Sequence, residues 1–184
     1  MQQIKGAVLK SRLAFVQDHA GKDGLERVLA AVPEGDRRTL RMLFTSNWYA
    51  FELGKRLDDA IVRVLGGGRP EFFERLGAAS AEKNLGGVHS SYLTRGDAHE
   101  FLTKSPSFYS LYYDTGRREY ARLGPKAGVF TTYDAETFSA PDCLTVVGWY
   151  KKALEMCGVR GVRIVEEECR ARGGTLCRYK VSWE

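Results

Sequence analysis

The hydrophobic period of this chain changes once, at Gly116, and that change limits the folds open to it. Before Gly116 the apolar residues recur at helical spacing. Val8, Leu9, Leu13, Phe15 and Val16 share one face of a helix over 8–17, and Asp23, with Glu26 three residues on, caps a second helix over 24–31. Asp36 opens a third over 37–45. The best-formed segment is 48–65, where Trp48, Phe51, Leu53, Leu57, Ile61, Val62 and Leu65 make a wide apolar stripe opposite a charged face. Gly66-Gly67-Gly68 stops it, and Pro70 starts a helix over 71–85 at its favoured first position. That helix carries Gly77, Ala78, Ala79, Ser80 and Ala81, side chains short enough for another backbone to come close, within the fold in preference to across a dimer. Shorter helical pieces are read over 89–93, 97–104 and from Pro106 to about Asp114.

After Gly116 the period is that of strands. Residues 118–123 and 128–133 read as two strands joined at Gly124-Pro125. Pro141 precedes a helix over 144–156, and strands follow over 162–169 and 177–183. In the last strand Cys177, Tyr179, Val181 and Trp183 alternate with Arg178, Lys180 and Ser182, so the first set is the buried face. Helices first, then strands with one inserted helix, predict an α+β fold in which an N-terminal helical half, 1–115, packs on a small antiparallel sheet in 116–184. At 184 residues the chain is expected to be a single domain, 1–184.

Charge narrows the function classes. The net charge of +5 is spread among interleaved acids, as in Lys55-Arg56-Leu57-Asp58-Asp59, without the clustered basic stripe of a nucleic-acid surface. No apolar run approaches the ~20 residues of a membrane span, and the N-terminus lacks the apolar core of a signal peptide, so a cytoplasmic home is expected. There is no phosphate loop, no HExxH and no GxSxG. A self-sufficient enzyme is not expected.

Two constellations carry chemistry. Phe108, Tyr109, Tyr112 and Tyr113 lie just before the sheet, with Tyr92 and Phe101 upstream and Trp149 on the inserted helix. Most such aromatics fill core, and the alternative is an apolar pocket furnished with a few hydroxyls. Cys169 ends one strand and Cys177 begins its partner, so a hairpin brings their sulfurs together, and Cys143 precedes the helix beside it. Three thiolates and one more donor make a tetrahedral zinc site, whereas buried thiols that merely fill core are the competing reading.

The stretches Pro141-Asp-Cys-Leu-Thr-Val-Val-Gly-Trp-Tyr, Glu155-Met-Cys-Gly and Val165-Glu-Glu-Glu-Cys-Arg-Ala-Arg-Gly-Gly-Thr-Leu-Cys-Arg-Tyr resemble the 4-vinyl reductase domain. That family belongs to a ligand-binding superfamily with heme–nitric oxide binding domains, phenol-sensing domains and transport-protein-particle subunits. The resemblance is specific over about 120–183 and general over the helical half. It implies a buried pocket for a small or lipid-like molecule, often in a dimer built through helices. In the phenol sensors three cysteines and a glutamate hold structural zinc, and the cysteines correspond to Cys143, Cys169 and Cys177. The glutamate has no counterpart at the expected place, the nearest candidates being Glu119 and Glu136. Heme is not supported, because Tyr92-Leu-Thr-Arg-Gly departs from the Tyr-x-Ser-x-Arg of the heme branch.

The function expected is therefore a stand-alone sensory or carrier domain for a small apolar or lipid-like molecule. It acts through a protein partner, as a homodimer, with a pocket lined by Tyr92, Phe101, Phe108, Tyr109, Tyr112, Tyr113 and Trp149. The alternative is a dimeric interaction scaffold of the transport-particle kind, without exchangeable ligand. Ligand, partner and process are not legible in the residues.

Overall fold

The computed structural model describes residues 2–87, 89–135 and 143–184; Glu136 and Pro141 lie outside them. Among the described residues, helices run in this chain order: α1 (Gly6–Ala30), α2 (Glu34–Arg41), α3 (Phe51–Leu65), α4 (Glu71–Leu85), α5 (Ala98–Lys104), α6 (Pro106–Tyr112) and α7 (Cys143–Met156). The main sheet comprises β3 (Arg117–Gly124), β4 (Ala127–Tyr133), β5 (Arg163–Glu168) and β6 (Cys177–Ser182), antiparallel in the order β3-β4-β6-β5. The architecture is α+β, with helices first and the sheet after.

Three details differ from the sequence reading. The helices read over 8–17 and 24–31 are one kinked helix, α1, broken at Gly21, whose φ of 66° only glycine adopts without strain. Trp48 does not begin α3. Trp48–Ala50 is a short strand, β2, antiparallel to β1 (Gln3–Lys5), with Ile4 opposite Tyr49. Three residues are too few to show a period, so neither strand was visible. Trp183 is half-buried where full burial was expected. It lies past the end of β6 and meets the ring of His99 edge-on at 4.7 Å. Tyr179 and Val181 are buried and Lys180 is exposed, as the alternation requires.

The small residues of α4 are used inside the molecule. A Cβ on Gly77 would lie 2.0 Å from the Thr145 carbonyl oxygen, and one on Gly148 would lie 1.9 Å from that of Glu74. The backbones of α4 and α7 therefore touch with no side chain between them. Beneath α7 the rings of Tyr150, Phe130 and Tyr179 stack, with centroids 4.2 and 4.9 Å apart, and join the helix to β4 and β6.

Candidate functional site

The cysteines converge. The β5–β6 hairpin brings Cys169 to Cys177, and the first turn of α7 adds Cys143, whose sulfur is 3.6 Å from that of Cys169. All three are buried, and the carboxylate of Glu166 joins them, so that the four ligand atoms lie within 4.8 Å of one another. A tetrahedron with metal–sulfur bonds of ~2.3 Å has sulfurs ~3.8 Å apart, close to the spacing found.

Glu166 is the donor that sequence reasoning missed. Residues three apart on a regular strand point to opposite faces, which removes Glu166 from the company of Cys169. The β5–β6 register shifts between Glu166 and Glu168, and this bulge turns both side chains to one side. Of the carboxylates considered earlier, Glu119 pairs with Arg117 at the surface, and Glu136 is outside the described residues.

The electrostatics of the cluster fit a cation. One carboxylate oxygen of Glu166, Oε1, is buried without a hydrogen-bond partner, while Oε2 accepts from Arg172. A buried acceptor left unmet is costly, and a metal satisfies it. The Cys177 thiol is pulled down to about 6 by hydrogen bonding from Cys143 and from the Arg170 backbone N–H, against the opposing effect of burial. Cys143 is raised by the same sulfur contact and by burial, and Cys169 chiefly by burial. Of the three, Cys177 is the thiol that most readily becomes a thiolate, the form that ligates a metal. With these four donors the coordination sphere of a bound metal would be closed, the arrangement of a structural site.

The second feature is a cavity of about 60 Å³ between α1, α4, α6, β3 and α7. Five of the aromatics singled out in the sequence line it: Phe108, Tyr109, Tyr112, Tyr113 and Trp149. Tyr92 and Phe101 stand behind them. Tyr92 packs on Phe108 at 4.4 Å, and Phe101 is fully buried against Phe108 and Trp149. Burial pushes the Tyr112 hydroxyl up to about 12 and raises Tyr109 as well, so both stay protonated at neutral pH.

Two arginines reach the cavity. Arg12 is buried and paired with Asp58, its Nε 3.0 and 3.1 Å from the two carboxylate oxygens, and it also donates to the Leu76 carbonyl. Arg118 is different. Its Nε donates to Thr132 Oγ1 at 2.9 Å and Nη1 to the Tyr150 hydroxyl at 3.2 Å, and it lies against the rings of Tyr109 and Tyr150. Among the described residues it forms no ion pair.

Comparison with solved structures decides the fold. A mutant H-NOX protein from K. algicida, in its Fe(II) unliganded form, superposes with a TM-score of 0.75 at 12% identity, covering 98% of this chain and 97% of that one. The fold is that of H-NOX domains. A single-site mutant of T. Tengcongensis H-NOX gives 0.73 at 13% identity, covering 98% of each chain. A structure from work on heme redox potential and protein-induced porphyrin distortion gives 0.70 at 14% identity, covering 97% of this chain and 99% of that one. No family model matches the chain, and no curated protein matches it in sequence. At such identities the likeness establishes the fold.

The last of these structures concerns a porphyrin held by the protein. Heme iron takes an axial ligand such as histidine. Among the described residues no histidine lines the cavity. Both ring nitrogens of His99 are engaged, with Tyr120 Oη at 2.6 Å and the Pro125 carbonyl at 2.9 Å. His19 stacks on Phe15, and His89 packs behind Phe108 and Tyr112. Trp149 and Phe108 meet edge to face on the cavity wall, 5.5 Å apart. The cavity of about 60 Å³, with no histidine among its described lining residues, does not fit a histidine-ligated porphyrin.

Proposed function

We propose that this chain is a ligand-binding sensor or carrier domain in which the Cys143–Glu166–Cys169–Cys177 cluster holds a structural zinc ion and the aromatic cavity takes a small organic molecule. The observation that carries this reading is the cavity itself, lined by α1, α4, α6, β3 and α7 and combining aromatic walls with a cation and phenolic hydroxyls. That is the make-up of a site that holds an apolar body and orients one polar end. The shared fold with H-NOX domains supports a small-molecule role.

The two features meet on α7. Cys143 begins this helix, while Thr145, Val146, Trp149 and Tyr150 face the cavity. Zinc at the cluster would fix the start of α7 to the β5–β6 hairpin and so set one wall of the cavity. It would supply cross-linking and charge neutralisation there. The domain transmits occupancy through a protein partner or a second copy of itself and catalyses nothing on its own. Native mass spectrometry of the purified chain tests the reading. One zinc and an exchangeable small mass per chain are expected; an empty, metal-free chain that also ignores a diverse panel of small molecules overturns it.

A further inference from the structure

We propose that the cavity selects the carboxylate of a small organic acid, with Arg118 as the residue that binds it; the inference rests on the cavity being a ligand site. A guanidinium carries five N–H donors and stays charged at all accessible pH. Among the described residues, the groups that accept from Arg118 are Thr132 Oγ1 and the Tyr150 hydroxyl. The other cation at the cavity, Arg12, is neutralised by Asp58. Among the residues that line the cavity, Arg118 is the cation without a carboxylate partner, and it is held against the rings of Tyr109 and Tyr150.

Charge of this kind discriminates between ligands. A cation is repelled, and a neutral molecule that displaces water leaves the guanidinium partly desolvated and uncompensated. A carboxylate removes that cost, and the planar fork of Arg matches its two oxygens. The Tyr150 hydroxyl accepts from Arg118, so its own proton can be given to the same anion. Tyr112 stays a protonated phenol at neutral pH and suits an acceptor-only group. Val8, Val146 and Trp149 are left to receive the apolar part. Propionate, a short apolar tail with one carboxylate, is the simplest probe of this pairing.

The experiment is a titration of the intact chain with propionate and with propionamide, which has the same shape without the charge, followed by NMR at the Trp149 indole. Propionate should bind about tenfold or more tightly than propionamide. Arg118→Gln should remove the preference, bringing propionate down to the level of the amide in the same variant. Should that variant fail to fold, Val146→Phe, which fills the cavity and spares Arg118, should abolish propionate binding. Equal affinity for acid and amide in the unaltered chain overturns the carboxylate assignment while leaving the cavity a ligand site. Binding of neither probe up to tens of millimolar, with no exchangeable mass in native mass spectrometry, overturns both.

Discussion

Glu166 on β5 and Cys169, the first residue past the end of that strand, present their side chains to the same point. The bulge between Glu166 and Glu168 makes this possible, and it completes a four-donor set with Cys143 and Cys177. A chain built this way should be isolated with about one zinc, measured by elemental analysis after preparation without chelators. Fewer than about a tenth of a zinc per chain would leave the cysteines as buried thiols. Glu166→Gln keeps the packing and removes the anionic oxygen, so metal affinity should fall by about tenfold or more.

Removal of the metal should also cost stability, because binding to the folded chain alone is linked to folding. Chelation is expected to lower the melting temperature by on the order of 10 °C, and readdition of zinc should restore it. Cys177→Ser should give the low value with or without chelator. An unchanged melting curve after verified metal loss would show that the cluster does not staple α7 to the hairpin.

The Cys177 thiol gives a pH signature in the metal-free chain. Its folded value of about 6 lies below the ~8.5 of a free thiol, so between these pH values the unfolded chain binds more protons than the folded one at this sulfur. Its contribution to stability is complete above ~8.5 and is lost as the pH falls through about 6. Thiolate absorbance should rise with a midpoint near 6 and lose that phase in Cys177→Ser. A single phase near the ordinary thiol value would contradict the assignment.

Glycine substitutions separate close approach from open space. Gly148→Ala pushes a methyl into the Glu74 carbonyl and should destabilise by about 3 kcal/mol or more. Gly35 on exposed α2 has nothing within 4 Å of a Cβ, so Gly35→Ala should be neutral or stabilise by up to ~1 kcal/mol. Denaturant midpoints at constant m-value decide both.

Asp58→Ala strips Arg12 of its buried carboxylate partner. A loss of ~3–5 kcal/mol is expected, since the guanidinium keeps its charge in a site with less compensation. Asp58→Asn should lose less, because an amide oxygen still accepts from Nε.

The sequence shows what repeats and hides what deviates. The order of helices and strands follows from the period, whereas the aromatics at 108, 109, 112 and 113, for which core filling is the commoner reading, line the cavity in the structure. Glu166 stayed hidden because a bulge breaks the period by which faces are assigned. Arg118 was read only as the start of a strand. A strand arginine is by default a surface residue, and only the structure shows this one against Tyr109 and Tyr150. The short β1–β2 pair joins segments far apart along the chain, beyond the reach of any local window.

The bare contact at Gly77 and Gly148 makes α4 and α7 a single beam. A guest in the cavity touches both helices, through Ser80 on one and Trp149 on the other, yet it cannot wedge them apart without opening a seam that has no side chains to readjust. Occupancy should instead tilt the beam as one piece over the sheet. Spin labels on the outer faces of α4 and α7 would keep their mutual distance when the cavity fills, while both would shift relative to a label on β5.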